Sequence, residues 1–247
     1  MNPGRDTPLV QAESLTLAAA GRTLLRELHW QARPGERWCV IGRNAAGKST
    51  LLRALAGLPV PHREGTVRWL GRAQAEWSPA DAAAVRAFAP QQAHDRFSIS
   101  AQRLLELAVC VPGAPEPASV LDALDAGALA QRDVLQLSGG ERQRVALAQC
   151  AVQGAPLMLL DEPVAFQDPG HQMQVGRWLA ALGERCIVFS AHDINWAAAV
   201  ATHVLALFGD GRWEVGVAAA MLDADRLAAV YGCGWRRADG AWIVVPG

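Results

Sequence analysis

The sequence predicts an α/β fold, a mainly parallel sheet covered on both faces by helices. Three observations predict it. Short, continuously apolar runs at Arg37–Gly42 (RWCVIG), residues 156–161 (PLMLLD) and Cys186–Ser190 (CIVFS) read as strands buried on both faces. Helix-forming stretches separate those runs, the alternation that a parallel sheet requires. A glycine-bearing loop, residues 42–47, joins the first run to the helical stretch after it.

Each element can be justified in chain order. The chain opens with a strand-rich segment. Residues 48–56 (KSTLLRALA) are good helix formers, and Gly57 with Pro59 behind it is a helix stop. Residues 64–71 (EGTVRWLG) read as an outer strand between glycines. Residues 73–136, rich in Ala, Leu and Gln and punctuated by Pro112, Pro115 and Pro117, read as a helical subdomain interrupted by a loop. Residues 141–149 (ERQRVALAQ) and 171–182 read as helices, the second with Met173, Val175, Trp178, Leu179 and Leu182 at near-helical spacing. No fixed-period repeat occurs.

Composition narrows the class. The chain has 247 residues, 51% apolar and 19% charged, so it has a core and is not a disordered tail. One domain over residues 1–247 is expected, with parts near 1–72, 73–150 and 151–247. A formal net charge of -1 argues against a broad nucleic-acid surface. No apolar run reaches the roughly 18–20 residues of a membrane span, and the opening MNPGRDTPLV has no apolar signal core. The expectation is a soluble, cytosolic chain that meets a membrane only through a partner. Five cysteines without C-x-x-C spacing suggest neither a disulfide framework nor a zinc site; Cys39 and Cys186 read as buried thiols. The nine tryptophans, Trp30, Trp38, Trp69 and Trp178 among them, are read mostly as packing residues.

Three motifs carry chemistry. Gly42, Arg43, Asn44, Ala45, Ala46, Gly47, Lys48, Ser49 and Thr50 match G-x-x-x-x-G-K-[ST], the phosphate-binding loop. Its backbone N–H groups wrap an anion, and the following helix points its positive end at the same place. Lys48 would reach the β- and γ-phosphates and Ser49 would ligate Mg²⁺. The second motif is a strand that ends in Asp161 and Glu162, one carboxylate for Mg²⁺ and one to polarise the attacking water. In the third, Ser138, Gly139, Gly140 and Glu141 open a helix with a natural N-cap and a bare backbone, a second anion-ready helix start.

The run Leu137-Ser138-Gly139-Gly140-Glu141-Arg142-Gln143-Arg144 resembles the signature of ATP-binding cassette (ABC) proteins. The resemblance spans nearly the whole chain and implies a P-loop NTPase core, an N-terminal antiparallel β subdomain and an inserted helical subdomain. In that family the signature binds the γ-phosphate of a nucleotide held by the opposite subunit. Gln91 resembles the glutamine-loop residue that touches Mg²⁺, although Gln92 could serve. Asp168 falls at the dimer-contacting aspartate loop. His192, 30 positions after Glu162, resembles the switch histidine that contacts the γ-phosphate. The resemblance implies a homodimer that sandwiches two ATP molecules, a membrane permease as partner with a substrate-binding protein acting indirectly, no nucleic acid, and a place on the cytoplasmic face of the cell membrane. Arg142 and Arg144 are expected to be solvated or interface charges.

The chain departs from the family at three places. Ala45 replaces a third glycine of the phosphate loop, which is harmless at negative φ and costs about 1 kcal/mol or more at positive φ. The aspartate loop reads Val164-Ala165-Phe166-Gln167-Asp168. Many members stack adenine on an upstream aromatic, whereas residues 18–22 (AAAGR) contain none. Only 90 positions separate Lys48 from Ser138, which leaves no room for a long coiled coil. The C-terminal sequence, above all Val230-Tyr231-Gly232, is similar to cassettes of ferric-siderophore, haem and vitamin B12 importers. An exporter cassette and a soluble non-transport ATPase are the alternatives.

Overall fold

The computed structural model describes residues 7–93 and 95–245. The reading of the first residues as lacking a signal core rests largely on residues 1–6, outside the described residues. The chain begins with β1 (Val10–Ala19) and β2 (Arg22–Ala32), then β3 (Arg37–Gly42), α1 (Lys48–Leu55), β4 (His62–Trp69) and β5 (Arg72–Ala73). There follow α2 (Pro79–Val85), β6 (Arg86–Ala89), α3 (Ala101–Ala108), α4 (Pro117–Ala123), α5 (Gly139–Val152), β7 (Leu157–Leu160), α6 (Pro169–Ala181), β8 (Cys186–Ser190) and α7 (Ile194–Val200). The remainder is β9 (His203–Leu207), β10 (Trp213–Val217), α8 (Ala218–Met221), α9 (Ala224–Tyr231), β11 (Gly234–Ala238) and β12 (Ala241–Val245).

Two sheets hold the molecule. An antiparallel sheet runs β2-β1-β4-β5. A larger sheet runs β10-β9-β3-β8-β7-β6, parallel except for β10. A separate β11-β12 hairpin closes the described chain. The expected α/β architecture, with its antiparallel N-terminal part and helical insertion, is therefore observed.

Strand periodicity explains the continuous apolar runs. Successive side chains of a strand point to opposite faces, and here each face has its own core. Cys39, Ile41, Met158, Leu160, Ile187, Phe189, Val204 and Ala206 join the helices α3 to α7 in one core. Trp38, Val40, Leu157, Leu159, Cys186, Val188, Leu205 and Leu207 pack with α1 and the antiparallel sheet in the other. The sheet is sandwiched, so a polar side chain in the middle of these strands would face no water. Trp30, Trp38 and Trp69 are buried as expected, and all five cysteines are free thiols, with Cys39 and Cys186 buried. Burial pushes the Cys150 thiol up to about 12, as expected of a packing residue.

Two expectations are corrected. Residues 86–89 are not helical; they form β6, the edge of the parallel sheet beside β7. That strand carries Ala89 to the C-terminal edge, where its carbonyl accepts the Asp161 N–H at 2.9 Å and Gln91 follows two residues on. Met173, placed on an apolar face from spacing, is instead 63% exposed; Val175 and Leu179 carry the burial of α6.

Candidate nucleotide-hydrolysis site

The site lies at the C-terminal edge of the parallel sheet, where β3, β6, β7 and β8 end in loops. This is where open α/β sheets bind ligands. A cavity of about 500 Å³ is lined by Asn44, Ala45, Gly47, Lys48, Ser49 and Thr50, by Gln91, Glu162 and His192, and by Ala19, Ala20, Arg22 and Leu24. The structure thus brings together residues from five separate stretches of sequence.

The loop after β3 is fixed by backbone geometry. Gly47 sits at φ 105°, and a Cβ there would meet Leu24 Cβ at 3.0 Å, so glycine is required. No side chain caps α1 at Gly47, which leaves the helix start without a side-chain acceptor. Ala45 has φ 60°, the left-handed region, so the condition under which alanine is harmless is not met and the strain is present. Lys48 is 6% exposed and donates to the Gly42 carbonyl at 2.9 Å and the Arg43 carbonyl at 3.3 Å. Burial pulls its pKa below the ordinary lysine value, and the nearby Glu162 and Asp161 charges oppose that pull.

The carboxylates at the end of β7 are held by a network. Ser190, fully buried at the end of β8, donates its hydroxyl to Asp161 Oδ1 at 2.6 Å. The Ser190 Oγ in turn accepts the Glu162 backbone N–H at 2.9 Å. Glu162 itself adopts φ 50°, an unfavourable backbone for a glutamate. Its carboxylate is gripped from both sides: Gln91 Nε2 donates to Oε2 at 2.8 Å, and His192 Nε2 lies 2.7 Å from Oε1. Gln91 rather than Gln92 lines the cavity, and Gln92 is exposed. Sequence reading missed Ser190 as a site residue; its one legible signal was a polar residue closing an otherwise apolar strand.

Ser138 and Glu141 form a reciprocal capping box at the start of α5, with Glu141 also paired to Arg132 at 2.6 Å. Gly140 must be glycine, because a Cβ would lie 2.7 Å from the Phe166 carbonyl. Ser138, Gly139, Gly140 and Glu141 are not among the residues lining the cavity; Ser138 and Gly139 are exposed. Asp168 caps α6, accepting from the His171 N–H at 3.0 Å, and also lies outside the cavity lining. The Val230-Tyr231-Gly232 run ends α9 beside the phosphate loop, where a Cβ on Gly232 would be 3.5 Å from Arg43 Nη1.

Arg142 is not a solvated charge. Its side chain is 11% exposed and pairs through two nitrogens with Asp95, one contact at 2.8 Å. The pair ties α5 to the segment that follows Gln91. Arg144 is half-buried as well, with a buried Nε.

The described residues contain no group of three or more His, Cys, Asp or Glu side chains arranged to hold a metal. Among the described residues no helix is long and apolar enough to cross a membrane.

Comparison with known proteins agrees with this geometry. The sequence profile of the ABC transporter family matches residues 25–165. The chain is 34% identical to a hemin import ATP-binding protein of Ruegeria sp. over 96% of this chain and 97% of that one. It is 36% identical to a cobalamin import ATP-binding protein of Halobacterium salinarum over 94% of this chain and 62% of the longer relative. In fold it is similar to cbiO1 from Clostridium perfringens, with a TM-score of 0.72 and 21% identity over 90% of this chain and 93% of that one. A phosphate loop, a strand ending in paired carboxylates and a signature helix, joined on one sheet and matched along nearly the whole chain, place it in the ABC transporter family as an ATP-binding, ATP-hydrolysing subunit.

Proposed function

We propose that the cavity binds Mg·ATP and that Glu162 is the general base for its hydrolysis. The observation that carries this reading is the Glu162 carboxylate, held between Gln91 and His192 on the wall of a cavity whose floor is the phosphate loop. A carboxylate fixed on both oxygens is oriented before the water arrives, which is what general-base catalysis needs. Lys48 leaves its loop carbonyls for the β- and γ-phosphates, a short movement because its ammonium already lies across the loop. Ser49, Asp161 and Gln91 supply hydroxyl, carboxylate and amide oxygens, hard donors suited to Mg²⁺. Bound there, Mg²⁺ neutralises charge on the transferring phosphoryl group. Ser190 holds Asp161 in place for that role, and His192 orients Glu162 and faces the γ-phosphate.

The functional unit is a homodimer. Ser138, Gly139, Gly140 and Glu141 form a partly exposed helix start that does not line their own chain's cavity, which supports their serving the nucleotide of a second copy. Asp168 ends the loop that follows Glu162, whose Phe166 lies against Gly139 and Gly140 of this signature. ATP closes the dimer by adding contacts that the nucleotide-free state lacks, and hydrolysis removes them.

The work is import. What supports this is the identity with hemin and cobalamin import ATP-binding proteins over nearly the whole chain, together with the similar C-terminal Val230-Tyr231-Gly232. A metal chelate of the haem, ferric-siderophore or cobalamin kind is the cargo. It passes through a separate permease, fed by a substrate-binding protein, with this subunit on the cytoplasmic face. Purification from native membranes in mild detergent tests it. Co-purification of a polytopic permease, and loss of chelate uptake on deletion, are expected. Recovery only in the soluble fraction, with uptake intact, would sink the transport reading and leave the ATPase chemistry standing.

A further inference from the structure

The two ends of the cavity differ in chemistry. One end holds Lys48, Ser49, Thr50, Gln91, Glu162 and His192, all suited to phosphates and to hydrolysis. The other is formed by the β1-β2 hairpin, with Ala19, Ala20, Arg22 and Leu24. A nucleotide anchored by its phosphates at the first end must lay its base toward the second. No Phe, Tyr or Trp is among the lining residues. Among the described residues lining that end, Arg22 alone has a side chain with a planar, delocalised face.

Its position is fixed from three directions. Ala20 (φ 49°) and Gly21 (φ 74°) make a two-residue turn with both φ positive, the tight hairpin connection. Ala19 and Arg22 are the last paired residues before that turn, so Arg22 has a defined register. Leu24, two residues along β2, packs against the phosphate loop at Gly47. Arg22 Nη2 donates to the Gly209 carbonyl at 3.2 Å, and Gly209 in turn lies against Ala46 of the loop, 3.9 Å from where its Cβ would be. The guanidinium is therefore tethered at the mouth of the cavity and does not sweep freely through solvent.

We infer that Arg22 is the base-stacking residue of this site, its guanidinium plane covering the purine that no aromatic ring covers here. The inference rests on the nucleotide reading of the cavity. A guanidinium stacks on any π-face. It reads no base edge, so Arg22 gives affinity for the nucleoside part with little choice between adenine and guanine.

Calorimetric titration of the full chain with Mg·ADP and, separately, Mg·pyrophosphate tests this, because the second ligand has the phosphates without the base. Arg22→Ala is expected to weaken ADP about 3–10-fold and leave pyrophosphate unchanged. Arg22→Trp is expected to restore ADP binding, whereas Arg22→Lys, charged but not planar, is not. Equal weakening of both ligands would mean that Arg22 serves the phosphates as a charge, and would overturn the inference. So would unchanged ADP binding in Arg22→Ala, or full rescue by lysine. Wild-type protein that binds neither ligand would instead overturn the nucleotide reading on which the inference stands.

Discussion

Replacing Ala45 with glycine is expected to stabilise the protein, against the usual direction for that substitution. Alanine at φ 60° brings its Cβ close to the following carbonyl, which costs roughly 1–2 kcal/mol. Glycine removes that cost but gives the unfolded chain more freedom, worth about 0.4–1 kcal/mol in the other direction. Ala45 is exposed, so loss of its methyl forfeits little packing. The balance is a gain of about 0.5–1 kcal/mol, or a rise in Tm of about 1–4 °C for a domain of this size. Thermal melting of the nucleotide-free protein at several scan rates reads it. Ala45→Val, with a branched Cβ at the same φ, should move Tm in the opposite direction. Mg·ADP affinity should not fall in Ala45→Gly, because the loop already has the backbone that glycine prefers. A loss of about 1 kcal/mol in Ala45→Gly, the ordinary penalty for glycine, would show that the residue does not sit in the left-handed region in solution.

Other consequences follow from particular contacts. Ser190→Ala leaves the Glu162 N–H and Asp161 Oδ1 without their shared partner; a stability loss of about 2–3 kcal/mol in denaturant melts is expected, with a fall in kcat larger than the change in KM. Arg142→Ala strands Asp95 in a nearly buried place and should cost about 2–3 kcal/mol, an effect that a solvated arginine would not show. The Glu141 carboxyl is held below its usual 4.5 by hydrogen bonds, first from the Ser138 backbone and then from its hydroxyl. Its folded pKa is depressed, so its contribution to stability is present above pH 4.5 and lost as pH falls through the lower folded value. Glu141→Gln should therefore flatten that acid limb in a pH series of melting curves by lowering stability at neutral pH while leaving acid stability nearly unchanged.

How much of this was legible from sequence follows from the range of each interaction. The phosphate loop is local: strand, loop and helix are contiguous, and the spacing of Gly42, Gly47 and Lys48 sets its geometry by itself. The strands β3, β7 and β8 were legible because burial on both faces leaves an unbroken apolar run. Strand β6 was not, since Arg-Ala-Phe-Ala is short, lies at the sheet edge and sits in an alanine-rich stretch that favours helix. Met173 has helical spacing with Val175 and Leu179 only loosely, and α6 buries too narrow a face to reach it. The Arg142–Asp95 pair joins residues 47 apart, and no periodicity signals such a contact. The choice between Gln91 and Gln92 likewise depends on how β6 delivers the chain to Glu162, a tertiary matter that two adjacent glutamines cannot reveal.

The central claim is that Glu162, held by Gln91 and His192, is the base that activates water. Glu162→Gln keeps the size and hydrogen-bonding reach of the side chain and removes its basicity. Steady-state ATPase and equilibrium Mg·ATP binding should be measured on the same preparation of that variant. A kcat lower by about 10²–10⁴-fold with binding retained is the predicted result. Turnover near that of the unaltered protein would contradict the account and remove Glu162 from the chemistry.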